Sequence, residues 1–233
     1  MFVVRRSDTL RSICSGTRRA LRVRHSSTFA VRKPPKHAPR EAPTPLVFCS
    51  ASHWDLGKRN KWVFCCPTPE FASMLAEKGY TCIEVDFGPP GEGEKSSGSQ
   101  NLMDSLSGGM FVLLIQRVLL HIIPFPPVIF ARGFASLITQ TYISSHPAQG
   151  IFLISPPLSN ATLFPSVLPT PLGEFDYELK FPVAVMARPA EMVQLRKYSR
   201  LGQDEFVDLI ELDNLEGRDA FLRIEQWLDE LGI

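Results

Sequence analysis

Histidine is scarce in this chain and gathered early: its five residues, His25, His37, His53, His121 and His146, all precede residue 147. Any reaction that needs an imidazole as general base must draw on that earlier part. Cysteine is sparse as well. Cys14, Cys49, Cys65, Cys66 and Cys82 are odd in number and show no C-x-x-C spacing, so neither a zinc site nor a disulfide framework is implied. Cys65 and Cys82 lie in apolar runs and read as buried hydrophobes of a reducing compartment. Long apolar runs are missing too. The most apolar stretch, Met110 to Ile123, offers 14 residues before Pro124, about 21 Å of helix against a hydrocarbon core of roughly 30 Å. Gln116, Arg117 and His121 interrupt it. It is expected to be a helix packed on a sheet with those three at its rim, not a membrane span, with peripheral membrane contact left open. No cofactor or metal motif is present.

Acids are nearly absent from the start of the chain. Residues 1–40 hold nine Arg and two Lys against Asp8, a net of +10, and since the whole chain carries +1 the remainder carries −9. Arg-rich, Ser-rich and acid-poor is the pattern of a mitochondrial transit peptide, and Leu10, Ile13, Ala20 and Leu21 lie on one side of a basic helix. A secretory signal would need an unbroken apolar core. A nucleic-acid-binding arm is the rival reading, but the acidic remainder is unlike a nucleic-acid-binding surface. The expected organisation is a leader over residues 1–32, cut between Arg24 and Ala30, a Pro-rich linker without fixed structure over 33–45, and one domain over 46–233.

Within that domain, Leu46 to Cys49 is a short strand candidate and Trp62 to Cys66 a better one. Thr68 then caps a helix with Pro69 at its first position, running to Gly79. Thr81 to Phe87 reads as a strand and residues 88–100 as a polar loop. Residues 158–180 have no periodic run, so any cap is small. Pro182 to Ala187 and Phe206 to Leu212 read as strands, and residues 218–231 as an amphipathic helix with Phe221, Ile224, Trp227, Leu228 and Leu231 on one face.

The organising stretch is Val128 to Pro157. Val128 to Ala131 is a short apolar run suited to a strand buried on both faces. Phe134, Leu137, Ile138, Thr141 and Tyr142 fall at helical spacing, His146-Pro147 stops that helix, and Ile151 to Ile154 is a second apolar run. This is a βαβ unit, which implies an α/β fold with a mostly parallel sheet and helices on both faces. Its turn, Ala131-Arg132-Gly133-Phe134-Ala135, puts small residues where a strand swings sharply into a helix. That turn resembles the nucleophile elbow G-x-S-x-G of the α/β-hydrolase family, and the order of elements over residues 60–233 is similar to that family's. The resemblance implies an α/β-hydrolase-like domain in which Gly133 stands where the nucleophilic serine would be.

The resemblance further implies an acid near Ala190 or Glu191, a histidine in the loop Asp213 to Gly217, and an oxyanion hole from the Phe134 N–H and the loop Cys66-Pro67-Thr68-Pro69. The histidine is missing, and Pro67 and Pro69 carry no N–H. Substitute nucleophiles are Ser136, flanked by the bulky Phe134 and Ile138, and Cys65 or Cys66 with His53 or His121 as base. Arg132, beside a helix N-terminus, is a candidate with Phe134 for binding a phosphate or carboxylate; the alternative is an ion pair with an acid such as Asp86. The expectation is a catalytically inactive hydrolase-fold protein of the mitochondrion, a pseudoenzyme that binds a protein or small-ligand partner and no nucleic acid. The alternatives are a divergent ester or thioester hydrolase with a non-standard nucleophile, and a peripheral inner-membrane or assembly factor.

Overall fold

Strand residues alternate between two apolar faces, and that alternation sets the layers of the molecule. A computed structural model describes residues 27–52, 54, 68–90, 96–114 and 125–233. The strands are β1 (Thr28–Arg32), β2 (Leu46–Ser50), β3 (Cys82–Asp86), β4 (Val128–Arg132), β5 (Gly150–Ile154), β6 (Val183–Ala187) and β7 (Val207–Glu211). The helices are α1 (Thr68–Glu77), α2 (Ser99–Leu114), α3 (Ala135–Ile143), α4 (Pro189–Tyr198), the short α5 (Arg200–Gln203) and α6 (Arg218–Glu230). The seven strands form one sheet in the order β1-β3-β2-β4-β5-β6-β7. All neighbours are parallel except the edge pair β1 and β3.

One face of the sheet presents Val47, Ile83, Ile129, Ile151 and Val185 to Leu102, Met103 and Leu106 of α2, Leu137 and Ile138 of α3, and Met192 of α4. The other presents Phe48, Phe130, Phe152 and Met186 to Phe71 and Leu75 of α1 and to Phe221, Ile224 and Trp227 of α6. Phe48 stacks on Phe130 at 4.7 Å between ring centroids, and Trp227 meets Phe152 edge-on at 5.2 Å, an arrangement aromatic quadrupoles favour. Because parallel strands need crossovers, the period of two within each strand and the helices on both faces follow from one another.

The structure differs from the sequence reading in three places and bears out, at the centre of the sheet, the strand expected from Leu46. Residues 28–32, placed in the leader, form edge strand β1, with Phe29 opposite Val85 and Val31 opposite Ile83; an aromatic and a β-branched residue at alternate positions suit that pairing. The linker is not loose. Ala42 and Thr44 are buried, and the Ala42 N–H donates to the Gly79 carbonyl at 2.9 Å. Gly79, at φ +108°, makes this approach feasible, since a Cβ there would lie 1.9 Å from the Arg40 carbonyl oxygen. Helix α2 begins at Ser99, earlier than the apolar run suggested, because Leu102, Met103, Leu106 and Met110 supply a buried stripe among serines and glycines. Finally, Leu46–Ser50 is a central strand. The expected strand Trp62 to Cys66 and residues 115–124, including Gln116, Arg117 and His121, lie outside the described residues.

Among the described residues no helix is long and apolar enough to cross a membrane. Helix α4 was not anticipated; Pro189 at its first turn pre-sets the backbone for it. The connection from β5 to β6 carries only a short 3-10 turn, Asn160–Leu163.

Candidate functional site

The sharp turn between β4 and α3 is built as its sequence suggests. Ala131 and Ala135 are fully buried, and the small side chains let strand and helix close on each other. Gly133 between them has φ +55°, a left-handed conformation that glycine adopts freely. Its N–H donates to the Ile154 carbonyl at 3.0 Å. A Cβ on Gly133 would find no atom of the described residues within 4 Å, and the hinge at the carboxyl edge of the sheet presents no nucleophile of its own.

The neighbouring side chains account for themselves. Ser136 is fully buried and its hydroxyl donates to the Gly133 carbonyl, which ties down the first turn of α3 and takes Ser136 out of contention as an attacking group. Phe134 is partly buried against the core on the α2 and α3 face. Arg132 pairs with Glu216 and not with Asp86: its Nη2 donates to Glu216 Oε1 at 2.7 Å. Glu216 lies in the loop after β7, the place where the resemblance implied a histidine. An ion pair thus joins the hinge strand to that loop.

The oxyanion assignment needs correcting. The strand beside β4 is β2, so the chain leaves that strand at Ala51-Ser52, whereas Thr68 and Pro69 begin α1 and Cys66 and Pro67 lie outside the described residues. The Ser52 N–H is already taken, donating to Asp86 Oδ1 at 3.0 Å. Asp86 also accepts from the Ser52 hydroxyl at 2.6 Å and the Ser50 hydroxyl at 2.8 Å. Three donors on one carboxylate hold this loop to β3. A donor so engaged is not available to a developing oxyanion.

Glu191, the candidate acid, sits in the first turn of α4 and accepts from the Ser155 hydroxyl at 2.8 Å. Ser155 ends β5 at φ +45°, a strained backbone for a residue with a side chain. Together with Pro156, Pro157, Leu158 and Gln194 the two line a cavity of about 340 Å³. Sequence reasoning named Glu191 and missed its partner Ser155, for which the signal was Ser155-Pro156-Pro157 directly after an apolar strand.

Cys65 and Cys66, His53 and His121 lie outside the described residues. Both described thiols, Cys49 and Cys82, are buried. Burial pushes Cys49 up to about 12, with a hydrogen bond to Thr139 acting weakly the other way, and burial raises Cys82 as well; neither is a thiolate at neutral pH. His146 lies at the far end of α3, its ring against Phe111 at 4.0 Å and Tyr142 at 4.7 Å. Its Nδ1 lies 2.9 Å from the Ser145 hydroxyl. Among the described residues no group of His, Cys, Asp and Glu is arranged to hold a metal ion.

No protein-family model matches this chain, and no curated relative is matched by sequence. Solved structures do resemble it. A soluble variant of monoglyceride lipase from Saccharomyces cerevisiae aligns over 88% of this chain and 92% of its own, with TM-score 0.53 and 11% identity. A lipase-esterase related protein from Clostridium acetobutylicum aligns over 87% and 98%, with TM-score 0.54 and 14% identity. Mouse alpha/beta hydrolase domain-containing protein 10 aligns over 88% and 94%, with TM-score 0.50 and 11% identity. At such identities the likeness concerns the backbone, not the chemistry. The seven-stranded, mostly parallel sheet with its helices gives this chain an α/β-hydrolase-like fold.

Proposed function

We propose that this chain is a catalytically inactive α/β-hydrolase-fold protein that works in the mitochondrion by binding, as a partner or small-ligand module. The observation that carries the reading is the hinge: Gly133 offers no side chain, and the loop facing it supplies the carboxylate of Glu216 in place of an imidazole. Hydrolysis by this fold needs an attacking oxygen, a base to take its proton and donors for the resulting oxyanion. Among the described residues the hinge itself offers no attacking oxygen and no imidazole, and the Ser52 N–H is already engaged by Asp86. Loss of such a set costs about a million-fold in rate in the best-studied case. The Arg-rich leader of residues 1–27 supports import, and cleavage ahead of Thr28 would keep β1 in the sheet.

Ser155 favours the second reading, a divergent ester or thioester hydrolase. It is a strained serine at a strand end, hydrogen-bonded to a carboxylate and facing a cavity. Among the described residues no imidazole joins the Ser155 and Glu191 pair, which keeps this reading second. Incubating the mature chain with a fluorophosphonate probe, a thiol-directed probe and a panel of short-chain esters separates the two. Silence is expected. Labelling and turnover that vanish in Ser155→Ala, or in a cysteine variant, would replace the first reading with the second.

A further inference from the structure

We propose that Arg132 is an exchangeable carboxylate receptor for which Glu216 serves as a built-in stand-in, and that the site takes a small monocarboxylate from solution. The inference rests on reading this edge as a binding site and names its ligand class. A guanidinium presents parallel N–H donors that match both oxygens of one carboxylate. Glu216 uses only half of that fork. Arg132 Nη2 donates to Glu216 Oε1 at 2.7 Å, while Nη1 is shut off from solvent and has no acceptor among the described residues. A buried donor on a charged group that is left unmade is costly, and a carboxylate lying side-on against both terminal nitrogens removes the deficit.

Access and release are both present. The Arg132 side chain is itself 27% exposed. The Glu216 side chain is 45% exposed, so swinging into water costs its carboxylate little solvation, and an ion pair of this kind is weak to begin with. Its loop is held locally by the Glu216 N–H donating to Asn214 Oδ1 at 3.0 Å, a contact the exchange does not need to break. Charge selects the ligand further. With the displaced Glu216 counted in both cases, a monocarboxylate leaves one net negative charge beside Arg132 and a phosphate dianion leaves two, so the monoanion is favoured.

The experiment is a titration of the full-length chain with acetate and butyrate by calorimetry at low ionic strength, with acetamide and inorganic phosphate in parallel. Acetate is expected to bind, about tenfold more tightly in Glu216→Gln, where the internal competitor has lost its charge. Arg132→Met should abolish binding, and Arg132→Lys, which keeps the charge and loses the fork, should forfeit most of the gain. Amide exchange over residues 212–217 should quicken when acetate is added. Equal acetate affinity in wild type and Arg132→Lys, equal affinity for acetamide, or tighter binding of phosphate would each overturn the proposal. Failure of acetate to bind while the fluorophosphonate probe stays silent would sink the receptor and leave the inactive reading standing; labelling by the probe would sink that reading instead.

Discussion

The two ends of α3 contrast in a way that explains the molecule. At its start, on the carboxyl edge of the sheet, the turn is tight, the hinge is a bare glycine, and the polar groups nearby are an arginine and a glutamate. At its finish, on the opposite edge, a histidine is wedged between two aromatic rings beside a hollow of about 490 Å³ that Asp104, Glu174 and Phe175 help to line. The end that resembles a catalytic centre has no imidazole among the described residues, and the end with an imidazole has no hinge. Topology decides this, because a helix that returns along a parallel sheet separates its two ends by its own length. Retaining the turn therefore says nothing of retaining the chemistry.

The middle of α3 carries both ends, so the largest effect should come from there. Ile138, fully buried against the sheet, should cost about 2–5 kcal/mol as Ile138→Ala, read from the urea midpoint at an unchanged slope. It should loosen the hinge and the histidine stack together, and amide exchange that quickens at one end alone would show that the helix does not couple them. Between the ends lies Cys49, under Thr139. Burial keeps its thiol neutral in the folded chain up to about 12, against an ordinary 9.0, so the folded state holds a proton that the unfolded state releases. Stability is intact below pH 9 and should fall as pH climbs from 9 toward 12. Tyr142, raised by burial from 10.0 to about 12, adds in the same direction. Denaturant melts of wild type and Cys49→Ala across that range should show a shallower decline in the variant.

The histidine end comes next. His146→Ala removes both ring contacts and should cost about 1–2 kcal/mol, whereas His146→Phe should recover most of it. If ring stacking is all that the residue does, neither change will touch acetate binding at the far end. An effect on that titration would break the separation of the two ends.

Much of this was legible in the chain itself. The apolar runs at Val128, Ile151 and Val183 specify buried parallel strands because period and burial leave them no other place, and Ala131 and Ala135 mark the turn through their size alone. What escaped reading depended on contacts distant in sequence. Nothing near Arg132 announces Glu216, since the loop after β7 meets β4 only once the intervening strands are laid side by side. Leu46 to Cys49 looked minor because four residues say nothing of neighbours, yet pairing on both sides makes it central. Gly79 read as a helix end, and only the path of residues 40–42 reveals that its missing Cβ also admits another piece of backbone.

The smallest effect, and the sharpest, is expected at the hinge. Gly133→Ser supplies the hydroxyl that the resemblance calls for, in a conformation already left-handed at φ +55° and with no atom of the described residues within 4 Å of the new Cβ. The cost is then backbone strain, about 1 kcal/mol, and Gly133→Ala should cost the same because no described residue offers the hydroxyl a partner. No labelling by a fluorophosphonate is expected from the serine variant, since an unactivated hydroxyl is a poor nucleophile at neutral pH. Labelling by that variant would mean that a base reaches the hinge from residues outside those described, and the chain would then stand a single substitution away from chemistry. Silence in Gly133→Ser, with stability lowered equally by serine and alanine, is what the proposed inactive reading requires, since among the described residues the imidazole stands at the other end of α3 and a hydroxyl at the hinge alone has no base beside it.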